Sequence, residues 1–234
     1  MADIKNKAVT LSFDDGVTQD IRFIEILNKY NIKSTFNINS GLLGVEFELE
    51  VKGKRVNHAN IAPEDVRGVY DGHEIAAHTV THPFLPELED DEIIKQVEND
   101  RIALSEIAGY EVTGFAYPGG GVNFNRHVAD VIRDNTGIQY ARTTENTFGF
   151  NKQTDLYVFK PTARPTADFD AFFGITEKFL SLDLSEPALF YVWGHTYEFD
   201  ADNSWDKFEE WCRLISSDKS IFFGTNKEVF ERLR

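Results

Sequence analysis

The sequence predicts an α/β fold: a parallel sheet closed, or nearly closed, into a barrel of seven or eight strand–helix units, in a single domain over residues 1–234. Three observations lead there. Strand-like and helix-like segments alternate along most of the chain, the pattern that produces parallel sheets. The 234 residues hold no internal repeat, low-complexity tract or linker, and that length suits one α/β barrel. The residues with most chemistry to offer follow the ends of strand-like runs, where barrel enzymes gather their active sites.

Residues 8–13, apolar and β-prone, read as the first strand, which stops abruptly at Asp14-Asp15-Gly16. Thr18 stands at the N-cap position of a helix over residues 19–30, with Ile21, Ile24 and Leu27 on one face. Residues 33–38 form the second strand. Residues 47–56 alternate apolar and polar side chains about Gly53-Lys54, the pattern of a small hairpin projecting from the main body. Pro63 opens a short helix to Val69, and Glu74–Ala77 is a short third strand. A long amphipathic helix over residues 89–108 is closed by Gly109. Residues 112–117 follow as the fourth strand, Arg126–Asn135 as a helix and residues 138–142 as the fifth strand. Residues 156–160 read as a sixth strand, residues 167–182 as a helix and residues 188–193 as a seventh strand. Residues 204–215 carry Trp205, Phe208, Cys212 and Ile215 on one helical face, and residues 220–223 form a last strand. Thr225 and Glu228 have the spacing of a capping box that starts the final helix.

Composition is ordinary for a globular protein, 41 % hydrophobic and 27 % charged. A formal net charge of -15 argues against nucleic acid and anionic membrane surfaces as partners. The sequence lacks the unbroken apolar run of roughly eighteen residues that membrane insertion requires. Residues 1–7 lack the apolar stretch of a secretory signal, so the sequence as given reads as cytoplasmic, with an extracellular location open if the natural chain begins earlier. Cys212 is the single cysteine, which excludes an intrachain disulfide. Its setting, Trp211-Cys212-Arg213-Leu214, reads as a packed helix face without the activating partner a reactive thiol needs.

Neighbouring strand side chains point to opposite faces, so Asp14 and Asp15 can share a site only where the strand breaks, and Gly16 lets the chain turn there. Asp-Gly is also a common turn dipeptide, so this stretch is not specific by itself. The second marked stretch is His78-Thr79-Val80-Thr81-His82-Pro83, after the third strand. Two histidines four apart can reach one metal ion from a single helical turn or a tight loop, although such a pair is also a common surface feature. The β-branched residues between them disfavour a long helix. Adding one carboxylate from the first strand gives two histidines and an acid, a set suited to a divalent metal that keeps positions open for water and substrate. Of the remaining histidines, His73 reads as packing at a strand entrance and His58 and His127 as surface residues.

Phe13-Asp14-Asp15-Gly16 followed by His78-Thr79-Val80-Thr81-His82-Pro83 resembles the first two motifs of the polysaccharide deacetylases, the NodB-homology group or carbohydrate esterase family 4. The alternation of segments agrees from about Ala8 to Leu233. The resemblance implies a distorted (β/α)7 barrel and a metal-dependent hydrolase that removes acetyl groups from N-acetylated sugars or oligosaccharides. It implies that Asp15, His78 and His82 hold one divalent metal ion, zinc first, with cobalt, nickel and manganese also suited to these ligands. Asp14 is then the general base. Chemistry supports the division, because a carboxylate bound to a metal gives up its basicity.

The family's third motif is matched by Phe115-Ala116-Tyr117-Pro118-Gly119-Gly120, with Ala116 where the family has arginine. Arg142, closing the fifth strand, is the candidate to replace it, and Arg164 is the second. By the family pattern the backbone N–H of Gly119 binds the oxyanion. Trp193-Gly194-His195 ends the seventh strand where the family has Leu-x-His, which makes His195 the general acid and Trp193 a bulkier wall of the acetyl pocket. Glu198 and Asp200 follow closely and can keep His195 protonated. Tyr117 and Tyr197 are candidate sugar contacts. The family's fourth motif, an aspartate-tryptophan pair, has no clear match.

Two further readings stay open at this point. The missing arginine, Trp193 and the hairpin are compatible with a deacetylase of a small non-sugar amide or an O-acetyl ester. A non-catalytic carbohydrate-binding barrel is the third, against which the intact Asp14, Asp15, His78, His82 and His195 speak. In each case the partner is a carbohydrate or a small acetylated compound, and the oligomeric state is not legible.

Overall fold

The first strand, β1 (Lys7–Asp14), is buried at all eight positions, as a parallel strand covered on both faces must be. The structure, a computed structural model, describes residues 6–183 and 187–233. After β1 come α1 (Gln19–Lys29), β2 (Thr35–Ile38), β3 (Glu46–Val51), β4 (Lys54–Ala59), α2 (Val66–Val69) and β5 (Glu74–Ala77). The chain continues through α3 (Asp90–Ala108), β6 (Gly114–Ala116), α4 (Arg126–Asn135), β7 (Tyr140–Arg142) and α5 (Phe169–Leu180). It ends with β8 (Ala188–Gly194), α6 (Tyr197–Asp202), α7 (Trp205–Ile215), β9 (Ile221–Phe223) and α8 (Asn226–Leu233).

The main sheet runs β7-β6-β5-β2-β1-β8, and every pairing in it is parallel. One edge of β1 pairs with β8 from Lys7 to Phe13. The other is divided, with β9 on Lys7–Val9 and β2 on Ser12–Asp14. The gap between β7 and β8 is spanned by residues 159–163, where Phe159 bridges to Arg142 and Ala163 to Val192, both parallel. With this irregular stave the ring is the distorted (β/α)7 barrel that the family resemblance implies.

That stave corrects the expected sixth strand over residues 156–160. Leu156–Val158 is a turn of 3₁₀ helix, capped by Asp155 accepting from the Tyr157 N–H at 3.1 Å. Pro161 follows and has no N–H for a ladder. Two smaller expectations also change at α1. Thr18 is itself helical, at φ -61° and ψ -23°, not in the extended backbone a capping residue adopts, and its hydroxyl caps nothing; its N–H donates to the Ala59 carbonyl of β4 at 2.8 Å. Ile21 is 45 % exposed, and the buried face runs through Phe23, Ile24, Ile26 and Leu27. Elsewhere α3 ends at Gly109 with φ 77°. The capping box closes in both directions, Thr225 N–H to Glu228 at 2.9 Å and Glu228 N–H to Thr225 at 3.3 Å.

The core beneath β1 is aromatic. Phe13 meets Phe23 at 4.2 Å between ring centroids, and Phe23 meets Phe208 at 4.6 Å. Burying rings of this size contributes on the order of 2–3 kcal/mol each, and here it fixes the strand that ends in Asp14. Cys212 is buried within α7, where burial pushes its thiol well up. Among the described residues, no helix is long and apolar enough to cross a membrane.

The hairpin is real but does not project. β3 and β4 pair antiparallel through Lys52-Gly53, both with positive φ as a tight hairpin turn requires. The ribbon is fastened back onto the barrel. Lys54 Nζ donates to the Ala201 carbonyl at 2.6 Å, Lys52 Nζ to the Thr166 carbonyl at 2.6 Å, and Gln19 to the Asn57 carbonyl at 2.8 Å.

Candidate active site and metal centre

Asp14, His78, Gly119, Arg142 and His195 lie at or just beyond the C-terminal ends of β1, β5, β6, β7 and β8. All but the fully buried Arg142 border one cleft of about 340 Å³, lined by Asp14, Asp15, His78, His82, Trp193 and His195 among others. The two adjacent aspartates diverge because the strand breaks between them. Asp15 has φ 81° and Gly16 φ 68°. A Cβ at Gly16 would stand 2.8 Å from Ile38 Cγ2, so the turn needs glycine for space as well as for conformation.

Asp15 faces the histidines. Its Oδ1 is 3.6 Å from His78 Nε2 and 3.7 Å from His82 Nε2. One ligand atom from each of the three residues lies within 4.8 Å of the others. The loop between the histidines is not helical: Thr79 and His82 adopt φ 70° and 59°. Such backbone is unfavourable for threonine and persists where the surroundings impose it. Asn39 imposes it here, donating to the His78 and Thr79 carbonyls at 2.6 and 2.9 Å. Asp100 accepts the His78 N–H at 2.8 Å and the Ser40 N–H at 2.7 Å. Burial raises its carboxyl to about 7 against those hydrogen bonds.

The donor set suits a divalent cation. Burial lowers His78 to about 4, so its imidazole is neutral. Its Nδ1 lies 2.8 Å from the Ala116 carbonyl, which accepts a hydrogen bond from the ring N–H and leaves the Nε2 lone pair facing Asp15. Burial alone would raise Asp15. The His58 hydrogen bond and the nearby His195, His78 and His82 rings outweigh it and hold the carboxyl well below the usual range.

Asp14 faces the other way. Arg142 Nη2 donates to both of its oxygens at 2.5 Å, and Asn37 Nδ2 donates to Oδ1 at 2.8 Å. Ala116 and Arg142 are register partners on β6 and β7. The guanidinium missing at Ala116 therefore arrives at the same level from the next strand, over the small side chain. Arg164 does not reach Asp14; it pairs with Glu198 at 3.2 Å. Both guanidinium groups stack on Trp193, at 4.9 and 5.3 Å.

His195 Nε2 is 3.9 Å from Asp14 Oδ2, and its Nδ1 is 3.3 Å from Glu198 Oε1. Burial lowers the imidazole, but the Glu198 hydrogen bond and the charges of Asp15, Glu198 and Asp14 carry it up to about 9. Burial raises Glu198 too, yet His195, Arg164 and Thr166 bring it down to about 2. Asp200 does not take part, since it accepts from Trp205 and Gln19.

Tyr197 lines the cleft and stacks on His195 at 5.1 Å. Tyr117 does not. It is fully buried with its hydroxyl on the Tyr157 carbonyl at 2.9 Å, which corrects its reading as a sugar contact. His58 is corrected as well: it is 4 % exposed and its Nε2 lies 3.4 Å from Asp15 Oδ2. His127 is exposed beside Asp90, and His73 accepts the Ser34 N–H at 3.1 Å beside Phe36. Sequence reasoning missed Asn37, Asn39, Asp100 and Asn123, the last of which braces the glycine loop through the Tyr117 and Gly119 carbonyls at 2.7 and 3.0 Å. Only Asp100 left a signal, as an acid in register with the buried stripe Ile93, Val97 and Leu104.

A family model for polysaccharide deacetylase matches residues 2–141. The chain is 30 % identical over 124 residues to the peptidoglycan-N-acetylmuramic acid deacetylase PdaC of Bacillus subtilis, covering 52 % of this chain and 23 % of that protein. It is 26 % identical over 136 residues to the peptidoglycan-N-acetylglucosamine deacetylase PgdA of Listeria monocytogenes, covering 54 % and 24 %. It thus spans about a quarter of the length of these relatives. The structure of a family 4 acetyl xylan esterase from Clostridium thermocellum, in complex with a cobalt ion, has the same fold, with TM-score 0.59 over 96 % of this chain and 91 % of that one at 16 % identity. The family match runs from β1 into β7 and takes in both strand-end motifs, and on it the chain belongs to the polysaccharide deacetylases.

Proposed function

We propose that the protein is a metal-dependent hydrolase that removes acetyl groups from N-acetylated sugars of the kind found in peptidoglycan or related glycans. The observation that carries this is the separation of two adjacent carboxylates within one cleft. Asp15 faces His78 and His82, while Asp14 faces Arg142, Asn37 and His195. The names of the curated relatives support the substrate class.

Asp15, His78 and His82 would hold the cation, which supplies Lewis-acid polarisation and acidifies water at neutral pH. The chain's own residues do the rest. Asp14 accepts the proton of the water that attacks the acetyl carbonyl. Arg142 and Asn37 fix its orientation, leaving Oδ2 toward His195. The Gly119 N–H donates to the oxygen on which charge develops, a contact worth roughly 3–4 kcal/mol in the transition state. His195, protonated through Glu198, gives its proton to the leaving nitrogen as the carbon–nitrogen bond breaks. The products are acetate and the free amine. Trp193, held by Asn146 at 2.7 Å and flanked by two arginines, forms the acetyl-side wall.

Acetate release by the zinc-reconstituted protein from chito-oligosaccharides and peptidoglycan fragments, beside O-acetylated xylo-oligosaccharides, tests this reading. Release from the N-acetylated glycans, abolished by a chelator and restored by zinc, is expected. Release from the esters alone would replace the amide reading with that of an esterase.

A further inference from the structure

The hairpin supplies a residue to the cation site that neither family motif contains. We infer that His58 is a positioning residue for Asp15, donating its Nε2–H to Oδ2 so that Oδ1 is the oxygen turned toward His78 and His82. This rests on Asp15, His78 and His82 being the cation ligands. The two carboxylate oxygens are divided between neighbours: Oδ2 lies 3.4 Å from His58, and Oδ1 lies 3.6 and 3.7 Å from the two other imidazoles. A carboxylate in a two-histidine set has two equivalent oxygens and a free torsion. A fixed donor on one of them selects both the oxygen and the torsion.

The imidazole is built into place for this. His58 is 4 % exposed and lies between the Phe47 ring at 4.3 Å, stacked, and the Tyr197 ring at 5.2 Å. Its Nδ1 is buried with no hydrogen-bond partner among the described residues. A histidine retained for packing alone would be matched by an apolar ring without that cost. Among the described residues, the one polar contact its ring makes is to Asp15. The strand carrying it is fastened by Lys54 to Ala201, by Gln19 to the Asn57 carbonyl next to His58, and by Asn60 Nδ2 to the Asp15 carbonyl at 2.6 Å. The hairpin therefore serves as a wall of the cleft, through Phe47 and Leu49, and as an outer support of the cation site.

The test is zinc affinity of the full chain by calorimetric titration, for the wild type, His58→Phe and His58→Gln. Phenylalanine keeps the ring stack and removes the donor; glutamine restores an N–H near the position of Nε2. Zinc binding weakened about 10–100-fold in His58→Phe, the usual effect of losing an outer-sphere partner, and largely recovered in His58→Gln, is expected. Affinity in His58→Phe within twofold of wild type, or no recovery in His58→Gln, would overturn the inference. Thermal melts of the zinc-free proteins check folding. If His58→Phe melts early, His58→Gln against His58→Asn, whose shorter amide falls short of Oδ2, decides the same question. A wild type that binds zinc but releases no acetate overturns the deacetylase reading and leaves the affinities to judge His58. A wild type that binds no zinc overturns both.

Discussion

Arg142, at the end of β7, grips both oxygens of Asp14, at the end of β1, at 2.5 Å, and both side chains are out of water. A buried pair of this kind costs much of its Coulombic gain in desolvation, so stability alone is a poor reason for it. Its effect is to fix the torsion of a carboxylate that also meets His195 at 3.9 Å.

Removing that guanidinium should be severe. Arg142→Ala leaves Asp14 buried without its partner, with an expected loss of about 3–5 kcal/mol in unfolding free energy. Turnover should fall about 10²–10³-fold, as when a preorganised electrostatic contact is lost. Arg142→Lys keeps the charge but loses the planar group that binds Asp14 through Nη2 and the Thr143 carbonyl through Nη1, and should recover stability more than turnover. Denaturant melts and steady-state kinetics on the three proteins separate the two effects.

His195 gives a pH signature. As the proton donor it works while protonated; its raised value of about 9 in the chain alone gives kcat/KM an alkaline limb, which a cation held by Asp15 moves down from that pH. Glu198→Gln removes the neighbour that raises it while burial continues to lower it. The alkaline limb should move toward neutral pH by about one unit or more. A limb that stays in place would remove Glu198 from the protonation of His195.

Asp20 predicts a pH dependence of stability with the opposite slope to most carboxylates. It is buried in α1, accepting from Thr196 at 2.6 Å and Tyr70 at 2.7 Å, and burial raises it to about 7. Between the unfolded value of 3.8 and that pH, the folded chain keeps a proton that the unfolded chain releases. This group's contribution therefore falls as pH rises from about 4 to 7. Asp20→Asn should flatten that part of the stability curve, measured by urea melts across the range.

Phe23→Ala should cost about 3–5 kcal/mol, because it empties the centre of the aromatic cluster between β1, α1 and α7. With Asp14 at the end of the same strand, loss of activity at temperatures below the melt is also expected.

The sequence made the barrel legible wherever local pattern and tertiary demand agree. β5 and α4 fall at their expected bounds because short apolar runs and a strong amphipathic period leave no alternative. The stave at 156–160 was misread because its β-prone residues meet an Asp155 cap and Pro161, whose local bonds win over the ladder. At the site, Asp14, Asp15, His78 and His82 are marked by adjacency in sequence. The link from Arg142 to Asp14 spans 128 residues and depends on the β6–β7 register. His58 was hidden for a different reason. Nothing in an alternating hairpin says whether the ribbon leans away from the barrel or over it, and Lys52 and Lys54 decide that through backbone carbonyls.

The most direct test of the account is acetate release from an N-acetylated chito-oligosaccharide by zinc-loaded wild type and Asp14→Asn, with bound zinc measured in the same samples. Equal zinc is expected in both, with turnover about 10²–10⁴-fold lower in the variant, the loss of a general base. An Asp14→Asn protein that turns over like wild type, or that loses its zinc, would contradict the assignment of separate roles to Asp14 and Asp15.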